Sequence, residues 1–518
     1  MQWLRFFRPQ RQDLALFGLG GLMVFAHAPI GIAPMAIVSL MGLFWFWQQA
    51  PTLRRSVQMG LWFGLGLFGV GVSWLISSIY LYANVALPLA VLAVLIFIGF
   101  LTSYLMLVGA LVARLKRPGA SPRVLAWHWL GLMPMLWVLG ELLRASLWGG
   151  FPFLLTGNSH VYTVLAHYAP IVGAMGVSWL VALSAGLLLF LFQTRAWVSV
   201  SVGFLLIWGG GYGLSHWQWV TPKGPPVAVA LLQGNIPQDQ KWQAAQFRPS
   251  LARYVSMTRQ HMGADLVVWP ETAVAGYFDV IERGALHSFI KDAQLLEKDI
   301  LLGVIRREVD SGQAEGSTVY FNSVVNAGNP EQYYDKRHLV PFSEFFPFSD
   351  LLSVISGWFD IPFSEFGAGA KDQAPLTLGA HQVGLSVCYE MAFGADLAAS
   401  ARASDYLVTV SNDAWFAHTF EPAQQLQDVQ MRALELGREI ARATNTGYTV
   451  IVGVDGQIKQ QLPPYEAGVL RGEVQPYQGQ TPYVQWQNTP LWGATLIGLM
   501  LAWGVRLFSK RPPEATEQ

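Results

Sequence analysis

The chain has a single cysteine, Cys388, and it stands directly after an apolar run, Val383–Val387. Two other apolar runs also end in reactive side chains. Asp265–Trp269 (DLVVW) leads into Trp269-Pro270-Glu271-Thr272. Val319–Asn326 is followed by Tyr333-Tyr334-Asp335-Lys336-Arg337-His338-Leu339-Val340-Pro341-Phe342 and then Glu344. Each residue alone has a plainer use. A lone cysteine at a strand end is usually a small buried hydrophobe. A lysine in a basic, aromatic stretch is usually solvated, and a glutamate after Trp-Pro usually caps a turn. Together they make a different statement. A carboxylate, an ammonium and a thiol at successive strand ends supply a base, an oxyanion partner and a nucleophile, the parts needed for covalent acyl chemistry. A Cys–His pair drawn from His338 or His418 is the alternative, but it leaves Glu271 and Lys336 idle. No histidine or carboxylate spacing suggests a metal site, and one cysteine excludes a disulfide framework. Neither a metal nor another cofactor is expected.

The elements that must position these residues are legible from about 225 to 475. Val227–Leu232, Asp265–Trp269, Ile300–Ile305, Val319–Asn326, Val383–Val387 and Tyr406–Val410 are apolar, of strand length, and show little alternation. They read as strands buried on both faces. Residues 422–444 read as one long helix, with Pro422 in its first turn and Leu426, Val429, Leu436 and Ile440 at near-helical spacing. The expected fold is an α/β sandwich with helices outside the sheets. Strand ends in such sheets are where side chains converge in a crevice.

The rest of the chain has a different composition. Of 518 residues 53% are hydrophobic and 13% charged, about half the charge of an average soluble domain. Charges are sparse before about residue 220, dense to about 475, and sparse again. The net charge is zero, so nucleic acid is not an expected partner. Apolar stretches at about 13–29, 31–48, 56–78, 85–113, 124–147, 162–192, 196–215 and 490–508 are candidates to span a membrane. The first two are short enough for a hairpin or re-entrant pair. The fourth and sixth are long enough to tilt, to kink near Pro88 and Pro170, or to leave the bilayer. The start, with basic residues, an apolar run and Ala26-His27-Ala28, also looks like a secretory signal and is read as a retained helix. Arg5, Arg8 and Arg11, Arg54 and Arg55, Arg114, Lys116, Arg117 and Arg123, Arg195, and Arg506, Lys510 and Arg511 fall on alternate connections and tails. By the positive-inside rule both termini are then cytoplasmic and the segment between the seventh and eighth stretches lies outside. Glu141 and Arg144, three residues apart, read as a self-neutralising pair on one helix face.

Taken together, WPET, YYDKRHLVPFSE, GLSVCYE, SNDAWF and RALELGREIARATNTG resemble the nitrilase (carbon–nitrogen hydrolase) superfamily over about 227–477. Placed between seven apolar stretches and a last one, this region makes the chain resemble the apolipoprotein N-acyltransferase family of the bacterial inner membrane. The resemblance implies an α-β-β-α sandwich joined to a multi-span helical region. It divides the chain into a transmembrane part of about seven helices (1–220), an extracytoplasmic catalytic domain (221–485) and a final helix with a cytoplasmic tail (486–518). It implies Glu271 as base, Lys336 as oxyanion stabiliser and Cys388 as nucleophile, with Glu344 orienting the lysine, and Tyr389 (through its backbone N–H) and Glu390 in support. It also implies a phospholipid acyl donor and a diacylglyceryl-modified apolipoprotein as acceptor. A membrane-tethered amidase acting on a small carbon–nitrogen substrate would use the same three residues, but would have no need of the helices.

The stretch 345–366 is aromatic and loop-like, which suits a lid or a lipid-contacting loop. Phe345, Phe346, Trp358 and Phe359 are its candidate contacts. Trp415 and Phe416 are candidates to line an acyl pocket, and Asn412 and Glu435 to support the site.

Overall fold

The computed structural model describes residues 10–83, 85–309, 318–341, 343–345, 366–416 and 418–509. They form two compact units. The first comprises the described residues of 1–73, 92–217 and 486–518, the second those of Trp74–Val91 and 218–485.

The first unit is helical, and helices occur in all the apolar stretches expected from the sequence. Among the described residues, three helical segments are long and apolar enough to cross a membrane: Leu87–Leu115, Val164–Thr194 and Trp197–Leu214. A fourth is reached if Leu53–Gly71 and Trp74–Tyr82 count as one broken span. The first two helices, Arg11–Val24 and Pro34–Gln49, have 14 and 16 residues, short of the roughly 20 that a full crossing needs. Pro88 sits in the first turn of its helix, where it costs no hydrogen bond. In the 169–194 helix the backbone leaves helical geometry at Gly173, three residues after Pro170. Glu141 and Arg144 bind backbone rather than serving only each other. Glu141 Oε1 accepts from the Thr156 N–H at 2.8 Å and its hydroxyl at 2.7 Å. Arg144 donates to the carbonyl oxygens of Phe151 and Phe153. The two side chains thereby pin the 147–157 connection to the helix that precedes it.

The second unit is a sandwich of two six-stranded sheets. In the first sheet the order is Gly468–Val474, Val227–Gln233, Leu266–Val268, Asp299–Val309, Thr318–Asn326, Tyr333–Asp335. In the second it is Ile458–Gln461, Val450–Val452, Ile440–Thr444, Tyr406–Ser411, His381–Val387, Leu376–Leu378. Each has three parallel strands at its centre and antiparallel strands outside them. The strand period of two explains the layering. Val227, Val229 and Leu231 point into the core between the sheets, where they meet Leu385, Val387, Val408 and Val410. Ala230 and Leu232 point the other way, onto Tyr254, Phe278 and Ile290 of the outer helices. The second sheet does the same with Leu407, Ile440 and Val452 against Leu397, Leu426 and Val429. This is the α-β-β-α arrangement expected from the sequence.

The 422–444 helix is corrected. The helix runs Glu421–Leu436 and ends at Gly437, which takes φ 61°, a left-handed conformation that glycine adopts without steric cost. Ile440–Thr444 is instead a strand of the second sheet, parallel to Tyr406–Ser411. Its Ile440 continues the apolar spacing because it packs on the same outer cluster as Leu436.

Candidate active site

The site forms where parallel strands of both sheets end. Leu266–Val268 leads to Glu271, His381–Val387 to Cys388, and Tyr406–Ser411 to Asn412. Two sharp backbone turns point the first two side chains. Thr272 has φ 43° and Cys388 has φ 54°, left-handed values that non-glycine residues hold only where the surroundings enforce them. The WPE turn lies directly on its neighbouring strand. A Cβ added at Gly303 would stand 2.8 Å from the Glu271 Cα, so only glycine admits this approach.

Glu271 is held at both carboxylate oxygens. Oε1 accepts from Asn322 Nδ2 at 2.7 Å, and Oε2 from the Asn412 backbone N–H at 2.8 Å. Lys336 is buried, with 1% of its side chain exposed. Its Nζ lies 2.9 and 2.8 Å from the two oxygens of Glu344, and 3.9 Å from Glu271 Oε1. Asn322 Nδ2 also donates to Glu344 Oε1 at 3.0 Å, so one amide joins both carboxylates. The Val340 N–H fixes Glu344 Oε2 at 2.8 Å. Burial works against the Lys336 charge, but Glu344 and then Glu271 outweigh it and hold the ammonium above its usual range. Lys336 is therefore a fixed cation at neutral pH.

Cys388 keeps some exposure, yet its sulfur is closely surrounded. Burial and then the Glu271 carboxylate push the thiol up, while Lys336 and then the neighbouring Ser411 hydroxyl act in the opposite direction. At rest the group is a thiol, and a base must take its proton before it attacks.

Glu390 braces the nucleophile turn from behind. It accepts the N–H groups of Val387 (2.7 Å), Arg337 (2.7 Å) and His338 (3.1 Å), and the Tyr334 hydroxyl at 2.9 Å. It thus ties the backbone beside Lys336 to the backbone before Cys388. Tyr389 is buried, with its ring edge-on to Phe393 at 5.0 Å.

The structure brings Glu271, Lys336, Glu344, Cys388 and Asn412 together as expected. Asn412 supports the base through its main chain, while its side chain bonds Gln238 at 2.8 Å. Trp415 and Phe416 lie in the turn just beyond. Their rings pack edge-on against Tyr82 (5.8 Å) and Trp74 (5.0 Å) of the Trp74–Tyr82 helix. Phe345 is half-buried and bridges Pro341; Phe346, Trp358 and Phe359 lie outside the described residues. Glu435 is corrected. It pairs with Arg432 at 2.8 Å, about 15 Å along the helix axis from Gln425, which faces the nucleophile. The helical period explains this, since ten residues are nearly three turns. His338 stacks on Phe393 at 3.5 Å with Nδ1 3.3 Å from Asp396, and His418 packs on Tyr465 at 4.1 Å.

Several residues escaped the sequence reading. Asn322 interrupts the apolar TVYFNSVVN strand, a signal that was available. Lys241 is 4% exposed and donates to the Glu271 carbonyl oxygen at 3.2 Å. Burial pulls its ammonium down to about 8, against opposing pulls from Glu271 and Cys388. Nothing in NIPQDQKWQ marks it, because its burial depends on a turn 30 residues away. Gln425 has its Nε2 3.9 Å from Cys388 Sγ, and glutamine in a helix gives no sequence signal.

Comparison with known proteins gives two family profiles. One, described as the apolipoprotein N-acyltransferase N-terminal domain, matches residues 19–187. The other, carbon–nitrogen hydrolase, matches residues 228–483. The chain is 39% identical over 493 residues to the apolipoprotein N-acyltransferase of Methylococcus capsulatus, covering 94% of this chain and 95% of that one. It is 37% identical to that of Nitrosomonas europaea, covering 95% and 96%. Among solved structures it resembles Saccharomyces cerevisiae Nit3, a nitrilase-superfamily member, with TM-score 0.36 and 17% identity, covering 53% of this chain and 97% of that one.

Proposed function

Because this chain belongs to the apolipoprotein N-acyltransferase family, we propose that it forms a fatty-acyl thioester on Cys388 and passes the acyl group to an amine. The enzyme is a membrane acyltransferase that N-acylates lipoproteins, with phospholipid as the acyl donor. The acceptor atom we infer is the α-amino group of an N-terminal diacylglyceryl-cysteine. The observation that carries the mechanism is the Lys336 ammonium set between Glu344 and Glu271 at the strand ends that also present Cys388. An amidase acting on a small carbon–nitrogen substrate is not favoured, since the match to the relatives includes the helical region.

In the first half-reaction Glu271 takes the thiol proton and the sulfur attacks the ester carbonyl carbon. Lys336 stabilises the negative oxygen of the tetrahedral intermediate, together with the Tyr389 backbone N–H. The C–O bond breaks, and the leaving alkoxide takes the proton from Glu271 and departs as lysophospholipid. In the second half-reaction the neutral amine attacks the thioester. Its excess proton goes to Glu271, the C–S bond breaks, and the thiolate recovers the proton. The two-step route helps because a thioester is more reactive toward amines than an oxygen ester. Glu344 keeps the lysine charged and fixed, and Asn322 keeps the two carboxylates in register.

The test is intact mass of purified protein incubated with phospholipid alone. One fatty-acyl increment is expected, placed on Cys388 by peptide mapping. Lipid turnover with no adduct, or with the adduct elsewhere, would reject the thioester.

We further infer a cytoplasmic-membrane location, both termini in the cytoplasm and the α/β unit on the far side. The alternation of Arg and Lys over the connections supports this reading. Reporter fusions at residue 225 and at residue 518 are expected to report opposite sides. Equal labelling of the two would overturn the topology.

A further inference from the structure

We propose that Gln425 is a further catalytic residue, the hydrogen-bond donor that faces the Cys388 sulfur, and that Glu421 and Arg442 are positioning residues that decide which end of its amide meets that sulfur. The inference rests on Cys388 being the nucleophile.

Gln425 lies one turn into the Glu421–Leu436 helix and is 2% exposed. Its two amide ends meet different partners. Oε1 contacts Arg442 Nη2 and lies 3.2 Å from Ser411 Oγ. Nε2 lies 3.2 Å from Glu421 Oε1 and 3.9 Å from Cys388 Sγ. The orientation follows from chemistry rather than from assignment of the amide atoms. A guanidinium only donates, so the oxygen must face Arg442. Arg442 itself is fully buried and fixed by Asp413, with both carboxylate oxygens at 3.0 Å from Nη2. The Ser411 hydroxyl lies 2.6 Å from Asp413 Oδ1 and has its acceptor there. The NH2 group then has one hydrogen for Glu421 and one for the sulfur.

Glu421 suits this role. It is 1% exposed, and among the described residues its Oε2 has no hydrogen-bond partner. Burial, and next Asp413, hold its carboxyl well above the ordinary range; Asp428 and Glu271 add to this and Arg442 opposes it. A neutral carboxyl accepts the amide hydrogen through Oε1 without placing another anion near the nucleophile. The titratable groups acting on Cys388 or coupled to it are Glu271, Lys336, Glu421 and Lys241. Of the uncharged donors beside the sulfur, the Ser411 hydroxyl is committed to Asp413, and Gln425 supplies another. An N–H aimed at sulfur favours thiolate over thiol. Both half-reactions pass through that thiolate: the first begins from it, and the second expels it. Gln425 moves no proton in either; Glu271 does that.

The absence of a second cysteine makes the test direct. Alkylation of the full-length protein by iodoacetamide, without lipid and read by intact mass, reports the Cys388 thiolate. Gln425→Glu keeps an acceptor for Arg442 and removes the donor. It is expected to alkylate about tenfold more slowly at neutral pH, the size of one charge-assisted hydrogen bond, and to need about one pH unit more alkaline solution to match the parent. Gln425→Leu is expected to slow by a similar factor. Glu421→Gln, which mimics the neutral carboxyl, should alkylate like the parent, whereas Glu421→Leu should be slowed. Parent-like alkylation in Gln425→Glu would overturn the proposal. So would equal slowing in Glu421→Gln and Glu421→Leu, which would show loss of packing rather than loss of an acceptor. Failure of the nucleophile reading is separable, because acyl transfer by Cys388→Ala would reveal it whatever the alkylation rates are.

Discussion

Cys388→Ala is expected to abolish acyl transfer while the protein still folds and inserts. Cys388 is the only thiol in the chain, and a hydroxyl at these strand ends such as that of Ser411 is a far poorer nucleophile. The substitution removes one atom from a half-buried position. The loss of packing is of order 1 kcal/mol, small against the stability of a domain. Unfolding curves for the variant should therefore overlay closely on those of the parent, while transfer of labelled acyl chain to a lipopeptide falls to background. Cys388→Ser should be nearly as inactive. An alcohol is far harder to deprotonate than a thiol, and a carboxylate such as Glu271 is too weak a base for it. Substantial turnover by purified Cys388→Ala would remove the acyl-thioester mechanism altogether.

Lys336→Ala is expected to lower the rate of thioester formation by about 10²–10³, the usual cost of deleting one donor to a developing oxyanion. The same change has a second consequence. Lys336 is the cation shared by Glu344 and Glu271, all three within buried surroundings. Removing one partner of a buried ion pair typically costs about 3–5 kcal/mol, because the remaining charge stays desolvated. The variant should thus melt measurably lower as well as react slowly, unlike Cys388→Ala. With phospholipid alone, the acyl adduct on Cys388 should fail to accumulate. Glu271→Gln should share that failure, since Glu271 handles the proton in both steps. If Lys336→Ala loads acyl chain onto Cys388 as fast as the parent, the oxyanion role is wrong and the lysine is structural or serves the acceptor.

The two variants also separate what burial does from what charge does. Burial alone pushes the Cys388 thiol up and the Lys336 ammonium down, and both shifts oppose catalysis. The lysine stays charged only because two carboxylates stand against it. The cysteine therefore depends on Glu271 and on the donors around its sulfur. A site built this way is assembled from mutually dependent groups, and single substitutions are expected to behave non-additively.

Much of this was determined by the sequence itself. Apolar runs without alternation, such as VAVALL and VGLSV, specify strands buried on both faces, since a strand wet on one side would carry polar residues at every second position. The change in charge density near residue 220 separates a lipid-compatible region from a water-compatible one, because charge is costly in hydrocarbon. Glu271 and Cys388 were legible because each closely follows an apolar strand, and strand ends converge in such sheets, whereas Lys336 follows the short strand Tyr333–Asp335 and stood out through its motif. Other features depended on the tertiary structure. Whether 437–444 continues a helix turned on a glycine cap and on a neighbouring strand edge, which the apolar spacing of Leu436 and Ile440 does not encode. Glu435 resembled a site residue by proximity in sequence, but the helix carries it nearly three turns past the nucleophile. Lys241 and Gln425 have ordinary sequence surroundings, and only the packing of distant turns brings one to the Glu271 carbonyl and the other to the Cys388 sulfur. Local pattern records which face of an element is dry. It does not record which remote group that face will meet, because that contact is chosen by the packing of the whole sandwich.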